Sequence, residues 1–187
     1  MDAFHERLAH VALHAASDLG FALAGGYTVQ AHGFLTRPSE DVDLFTSAER
    51  TDRRRRGRGE SGKVELAADI RSQAPVTMSI GPVVRVDDVA GGKMEALFTR
   101  AEARDFIDID AMVISGGFTR TKLQELAASR DAGFDLRVLA DMLAVIDIYP
   151  DAEFSGYGLQ YEQIQQMRVR FADWRSELLQ QPGPNGA

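Results

Sequence analysis

The segment Asp41-Val42-Asp43-Leu44-Phe45 constrains this 187-residue chain more than any other. Its alternation of acid and hydrocarbon has the two-residue period of a β-strand, which sends Val42 and Leu44 to a core and Asp41 and Asp43 together to the opposite face. Two carboxylates so close repel each other unless a cation lies between them or one takes up a proton. The strand therefore either carries a divalent-ion site or shows its acids to solvent at a sheet edge. Hard oxygen ligands suit magnesium or manganese, ions that in enzymes usually arrive with nucleotide phosphates. Gly25-Gly26 lies upstream, where missing side chains let a phosphate chain approach the backbone, although glycine pairs are also common turn elements.

The rest of the composition narrows the class. An apolar share of 44% with 26% charged residues is that of an ordinary globular chain, large enough for one domain with a helical extension. Without cysteine there is no disulfide, thiolate metal site or thiol nucleophile. The first residues carry no basic and apolar leader pattern, and no run approaches a membrane span, so the expected location is the cytoplasm. No Gly-x-Ser-x-Gly or Walker pattern occurs, which disfavours serine hydrolases and P-loop NTPases. The net charge of -7 is uneven: Arg50, Arg53, Arg54, Arg55, Arg56, Arg58 and Lys63 oppose only Asp52 and Glu60. Segment 50–63 reads as a solvated basic loop, with a phosphate-backbone contact to RNA as the functional alternative.

Periodicity gives the order of elements. A helix is expected from Asp2 to Leu19, closed by Gly20, then a strand over Phe21-Ala22-Leu23-Ala24, the glycine pair, and a brief helix over Tyr27–His32. The acidic strand follows Arg37-Pro38, and further strands are expected at 64–68 and 82–86. Asp87 and Asp88 stand where a cap would start a helix over 89–98. Thr99 with Glu102 has the pattern of a capping box, so a new helix begins there and runs through Met112. That break matters for Lys93 and Asp108. One straight helix would hold them about 22 Å apart, whereas a chain folded back at Thr99 sets them side by side. Thr121 with Gln124 is expected to cap another helix through Arg130; helical patterns follow at 135–149 and 159–180, and a frayed tail ends the chain. The expected class is α/β (α+β), with an N-terminal mixed sheet over 1–86, a helical part over 87–180 and a disordered tail over 181–187.

Several side chains have two readings at this stage. Glu65 alternates with Val64 and Leu66, and is either a third carboxylate for the metal or an ordinary strand residue. Lys93, one turn into its helix after Gly91-Gly92, either reaches a triphosphate or faces solvent. Arg104 and Asp108, four apart, fit an exposed ion pair. His10 and His14 have a zinc spacing without a third ligand nearby and read as surface residues. Tyr157, Phe171 and Trp174 read as packing for the last helix.

Taken in order, the stretches Gly25-Gly26 to His32-Gly33, Arg37-Pro38-Ser39-Glu40-Asp41-Val42-Asp43-Leu44-Phe45, Asp87-Asp88-Val89-Ala90-Gly91-Gly92-Lys93-Met94-Glu95-Ala96-Leu97 and Arg100-Ala101-Glu102-Ala103-Arg104-Asp105-Phe106-Ile107-Asp108 resemble the AbiEii-type nucleotidyltransferase toxins, including the mycobacterial MenT group. The resemblance covers about residues 20 to 115. It implies a DNA polymerase β-like nucleotidyltransferase fold, a mixed sheet with a C-terminal helical bundle that completes the active site. It further implies magnesium or manganese, a nucleoside triphosphate substrate, and transfer of nucleotides, pyrimidines in MenT members, to the 3′ end of tRNA. Blocked aminoacylation and a partner antitoxin belong to the same picture. By motif position Asp41, Asp43, Lys93 and Asp108 would be catalytic, with Asp41, Asp43 and Glu65 as metal ligands. Gly25, Gly26, Ser39, Lys93 and Arg104 would meet the nucleotide, and Ser39 would be the site of regulatory phosphorylation. Two departures stand out: Tyr27 replaces a frequent phosphate-binding serine, and only about twenty residues separate Asp43 from Glu65. Competing readings are a nucleotidyltransferase acting on a small molecule or a protein side chain, and a non-catalytic module that binds RNA or a partner.

Overall fold

Asp2 starts the first helix by accepting hydrogen bonds from the backbone N–H groups of Phe4 and His5. Helix α1 (Ala3–Ala15) then buries Ala9 and Leu13, and a 3-10 turn ends at Gly20, whose left-handed backbone suits glycine. The computed structural model describes residues 1–35, 37, 39, 41–47, 55–59 and 62–181, with backbone alone at 55–59 and 62. Pro38, Glu40, residues 50–54 with Arg50, Arg53 and Arg54, Glu60 and the expected tail beyond 181 lie outside the described residues. The chain divides into two units, Met1–Val89 and Ala90–Ala187.

The first unit is built on a mixed sheet. Among the described residues it has six strands: β1 (Ala22–Leu23), β2 (Asp41–Ser47), β3 (Arg55–Gly59), β4 (Gly62–Asp69), β5 (Val76–Met78) and β6 (Gly81–Val83), in the order β3-β4-β2-β1-β6-β5. β1 pairs antiparallel with β2 and parallel with β6, and β2 pairs parallel with β4. Helix α2 (Gly25–Ala31) leaves β1 directly. Along β2 burial alternates as expected: Val42, Leu44 and Thr46 are buried, and the residues between them are half-exposed. Val42 and Leu44 join Ala9, Leu13, Phe21, Leu23, Tyr27 and Val83 in one apolar core. Burying such side chains stabilises the fold by about 1.5–3 kcal/mol each, so the register of β2 is fixed by its core face.

The basic segment departs from expectation. Arg55–Gly59 is not loop but strand β3, paired antiparallel with β4 from Arg55 opposite Leu66 to Gly59 opposite Gly62. Local polarity predicts a loop here, yet the unpaired edge of β4 offers a full row of backbone partners, and pairing overrides composition. The expected strand over 82–86 is shorter, and helix α3 (Val86–Thr99) already begins at Val86. Asp87 and Asp88 thus sit in its first turn instead of capping it, where their charge complements the helix dipole.

The second unit is helical. After α3 come α4 (Ala103–Ile114), α5 (Arg120–Arg130), α6 (Leu136–Ala144), α7 (Asp151–Ser155) and α8 (Tyr161–Gln180). The break between α3 and α4 falls where expected but is made differently. Thr99 belongs to α3 and its hydroxyl donates to the Glu95 carbonyl, whereas Glu102 caps α4 in a reciprocal box with Asp105. Ala101 provides the reversal in a left-handed conformation at φ 49°, a position where an alanine costs about 1–2 kcal/mol. Likewise Thr119, not Thr121, caps α5. Phe171 and Trp174 are buried and pack the core as expected, with the buried Phe106 edge-on to Phe171 at 5.1 Å, whereas Tyr157 is only half-buried. Among the described residues no helix is long and apolar enough to cross a membrane.

Candidate active site

The acidic face of the first unit follows from strand register. Because β2 and β4 run parallel with Asp41 opposite Lys63 and Asp43 opposite Glu65, all four side chains project from one face of the sheet. Glu65 is therefore the cross-strand neighbour of Asp43. Between the acids stands a cation supplied by the chain. Lys63 Nζ donates to Asp41 Oδ2 at 2.7 Å and lies 3.5 Å from Glu65 Oε2. The Asp41 hydrogen bond, chiefly, holds the Lys63 ammonium above the ordinary lysine pKa, against a smaller opposing effect of desolvation. These side chains stay accessible, 33% for Lys63, 28% for Asp41 and 25% for Glu65.

The glycine pair fits against this face closely. Gly25 has φ +63°, and a Cβ there would stand 1.8 Å from Asp43 Oδ2, so only glycine lets the Asp43 carboxylate lie against the backbone. A Cβ at Gly26 would meet Ser39 Oγ at 2.9 Å and Arg37 Nη2 at 3.1 Å. Both glycines belong to the first turn of α2 instead of preceding the helix. Tyr27 donates its phenol hydrogen to the Ser39 carbonyl at 2.8 Å, and burial, with Asp2 adding, pushes its pKa up to about 12. It is thus a buried strut of the loop that carries Ser39. Arg37 is 4% exposed and its carbonyl accepts from Gln30 Nε2. Neither Arg37 nor Lys63 stood out singly in the sequence. For Lys63 the signal was present: it precedes Glu65 by two, the spacing of one strand face.

In the second unit the break between α3 and α4 brings Lys93 and Asp108 together. Lys93 Nζ lies 2.8 Å from Asp108 Oδ2, with 12% and 0% of the two side chains exposed. Asp108 is thus held by Lys93, and the expected Arg104–Asp108 surface pair is not formed. Arg104 instead meets Glu102 at 2.8 Å, because Asp108 points into the buried face of α4 while Arg104 remains 41% exposed. Arg100 grips the fully buried Asp105 with two hydrogen bonds of 2.9 Å, and Arg170 grips Asp110 with bonds of 2.7 and 2.6 Å. Each buried acid of α4 accordingly has its own cation. Gly91-Gly92 does not leave open space beside Lys93. A Cβ at Gly91 would meet Arg130 Cδ at 2.6 Å, so the glycines admit the buried Arg130 side chain, whose Nε donates to Glu95 at 3.0 Å.

The donor set on the sheet face fits a hard divalent cation in kind: three carboxylates, with an ammonium standing between two of them. They are not drawn together as a closed site, and no group of three or more His, Cys, Asp or Glu able to hold a metal is gathered among the described residues. The zinc spacing of His10 and His14 lies on the exposed side of α1.

Comparison with known proteins gives the fold a relation. No family profile matches the chain, and no curated protein matches it. Two solved structures do. The Helicobacter pylori protein JHP933 superposes with a TM-score of 0.52 at 14% identity, covering 94% of this chain and 91% of its own. An H. pylori protein described as a candidate nucleotidyltransferase superposes with a TM-score of 0.51 at 14% identity, covering 94% of both chains. The chain shares with both the fold of a mixed sheet followed by helices.

Proposed function

We propose that the chain is a metal-dependent nucleotidyltransferase, the toxin of a toxin–antitoxin pair, which adds nucleotides, preferentially pyrimidines, to the 3′ end of tRNA and so blocks aminoacylation. The observation that carries the reading is the single sheet face shared by Asp41, Asp43 and Glu65, with Gly25 lying against Asp43. The order of sequence motifs and the fold likeness to a candidate nucleotidyltransferase support it further.

In the proposed reaction the 3′-hydroxyl of the acceptor attacks the α-phosphorus of the triphosphate in line. A phosphodiester bond forms, the bond to the β-phosphate breaks, pyrophosphate leaves with the electron pair, and the hydroxyl proton passes to water. Asp41, Asp43 and Glu65 would hold magnesium or manganese, which when bound supplies Lewis acidity to phosphate and hydroxyl oxygens. By motif position Gly25 and Gly26 would meet the phosphates, with the Asp43 carboxylate against Gly25 and Ser39 beside Gly26. Lys93 would neutralise triphosphate charge, and Asp108 would position its ammonium through the buried 2.8 Å contact. Arg104 is a further nucleotide contact by motif position. Ser39 is the proposed phosphorylation site through which an antitoxin silences the enzyme, since a phosphate there would add negative charge beside Gly26 and the acidic face.

The test is incubation of the protein with magnesium, each labelled triphosphate in turn, and total tRNA, total protein or small hydroxylated acceptors. Label is expected in tRNA, and Asp41→Ala should lower its incorporation on the order of 10²–10³-fold, the usual cost of losing one electrostatic element of an active site. Label in protein or a small molecule instead would move the acceptor. Cellular toxicity that survives Asp41→Ala in a folded protein would support a non-catalytic binding module.

A further inference from the structure

We propose that Lys63 is the residue that makes the acidic face depend on a nucleotide for its metal. This rests on the reading of Asp41, Asp43 and Glu65 as a divalent-cation site. Lys63 Nζ bridges carboxylates of two different strands, Asp41 Oδ2 at 2.7 Å and Glu65 Oε2 at 3.5 Å. A divalent ion that engages both carboxylates must take the space the ammonium holds, so a bare ion and Lys63 compete. The competition is reversible by design of the side chain. Lys63 is one-third exposed on a flexible four-carbon stem and presents a compact point charge, so it swings away without breaking a core.

What decides the outcome is where the displaced ammonium goes. For a bare ion it enters water, and the acids exchange one cation for another at the loss of the lysine contact. For an ion that arrives with a triphosphate, the displaced ammonium finds a new polyanion at the same face. Metal and nucleotide therefore bind with positive coupling, and part of that coupling resides in Lys63. The sheet face resists loading by ions alone and accepts them as a nucleotide complex. Lys63 is a specificity-determining residue for the form in which the metal enters.

Manganese titrated into the full chain, with free ion read by electron paramagnetic resonance, tests this with and without a non-hydrolysable α,β-methylene triphosphate. The variants are Lys63→Met, which keeps the stem and adds no ligand, Lys63→Gln as a second substitution, and Asp41→Asn as the site control. Lys63→Met should bind bare manganese roughly fivefold or more tightly than wild type, and the tightening produced by the analogue should shrink correspondingly. Unchanged or weaker manganese binding in both folded Lys63 variants, with wild-type binding still lost in Asp41→Asn, overturns the role of Lys63 and leaves the metal reading intact. No manganese bound by any form, with or without the analogue, removes the metal reading and the inference with it.

Discussion

Lys63 on the sheet and Lys93 on α3 make the same bond to an aspartate, 2.7 Å to Asp41 and 2.8 Å to Asp108, and differ almost solely in burial. The Asp41 side chain is 28% exposed and the Asp108 side chain 0%. Water screens the first pair, so its two charges remain exchangeable partners worth about 0–1 kcal/mol to the fold. The second pair is shielded from water, and removing the Lys93 ammonium takes a close counter-charge from the buried Asp108 carboxylate, at a cost of up to about 3–5 kcal/mol. A site meant to exchange cations needs the first kind of pair; a site meant to hold one ammonium in one place needs the second.

The strongest way to break this contrast is Lys93→Met. It should destabilise the protein by up to about 3–5 kcal/mol in urea unfolding, and adding Asp108→Leu should recover part of the loss, since the buried carboxylate deprived of its ammonium is then gone. A cost below about 1 kcal/mol would mean that the two lysines are alike. Gly25→Ala comes next, at about 1–3 kcal/mol from backbone strain alone. Because its Cβ would displace the Asp43 carboxylate, manganese affinity should fall with stability. Lys63→Met should change unfolding free energy by no more than about 1 kcal/mol while altering metal binding. The smallest effect is expected at the exposed extreme of the series, the Asp2–His5 pair at 2.6 Å. Hydrogen bonds from the His5 backbone and ring hold the Asp2 carboxyl at about 2, below its ordinary 3.8. Its contribution is complete above the unfolded value and is lost as pH falls through the folded one. Asp2→Asn should therefore flatten the melting temperature only in that acid window.

The two regions were not equally legible in the sequence. The β2 alternation named its core and acidic faces directly, because a strand with one buried side leaves its register no freedom. The neighbourhood of Lys93 and Asp108 was legible through a break in periodicity, although the cap proved to be Glu102 and the reversal Ala101, a residue with no turn preference of its own. Cross-strand relations were not legible. That Lys63 faces Asp41 and Glu65 faces Asp43 depends on parallel pairing of β2 with β4, which sequence spacing alone does not encode. The arginines at 55–58 read as loop because their pairing partner, the edge of β4, is a tertiary feature. Arg130 filling the space over Gly91 was invisible for the same reason.

The central claim is that the Asp41 face directs nucleotidyl transfer, and the position of the label on the triphosphate tests it most directly. With magnesium and total tRNA, label in the α-phosphate should enter RNA with release of pyrophosphate, label in the γ-phosphate should not, and both products should vanish in folded Asp41→Asn. Transfer of the γ-label, or α-label incorporation that Asp41→Asn leaves unchanged, would contradict it.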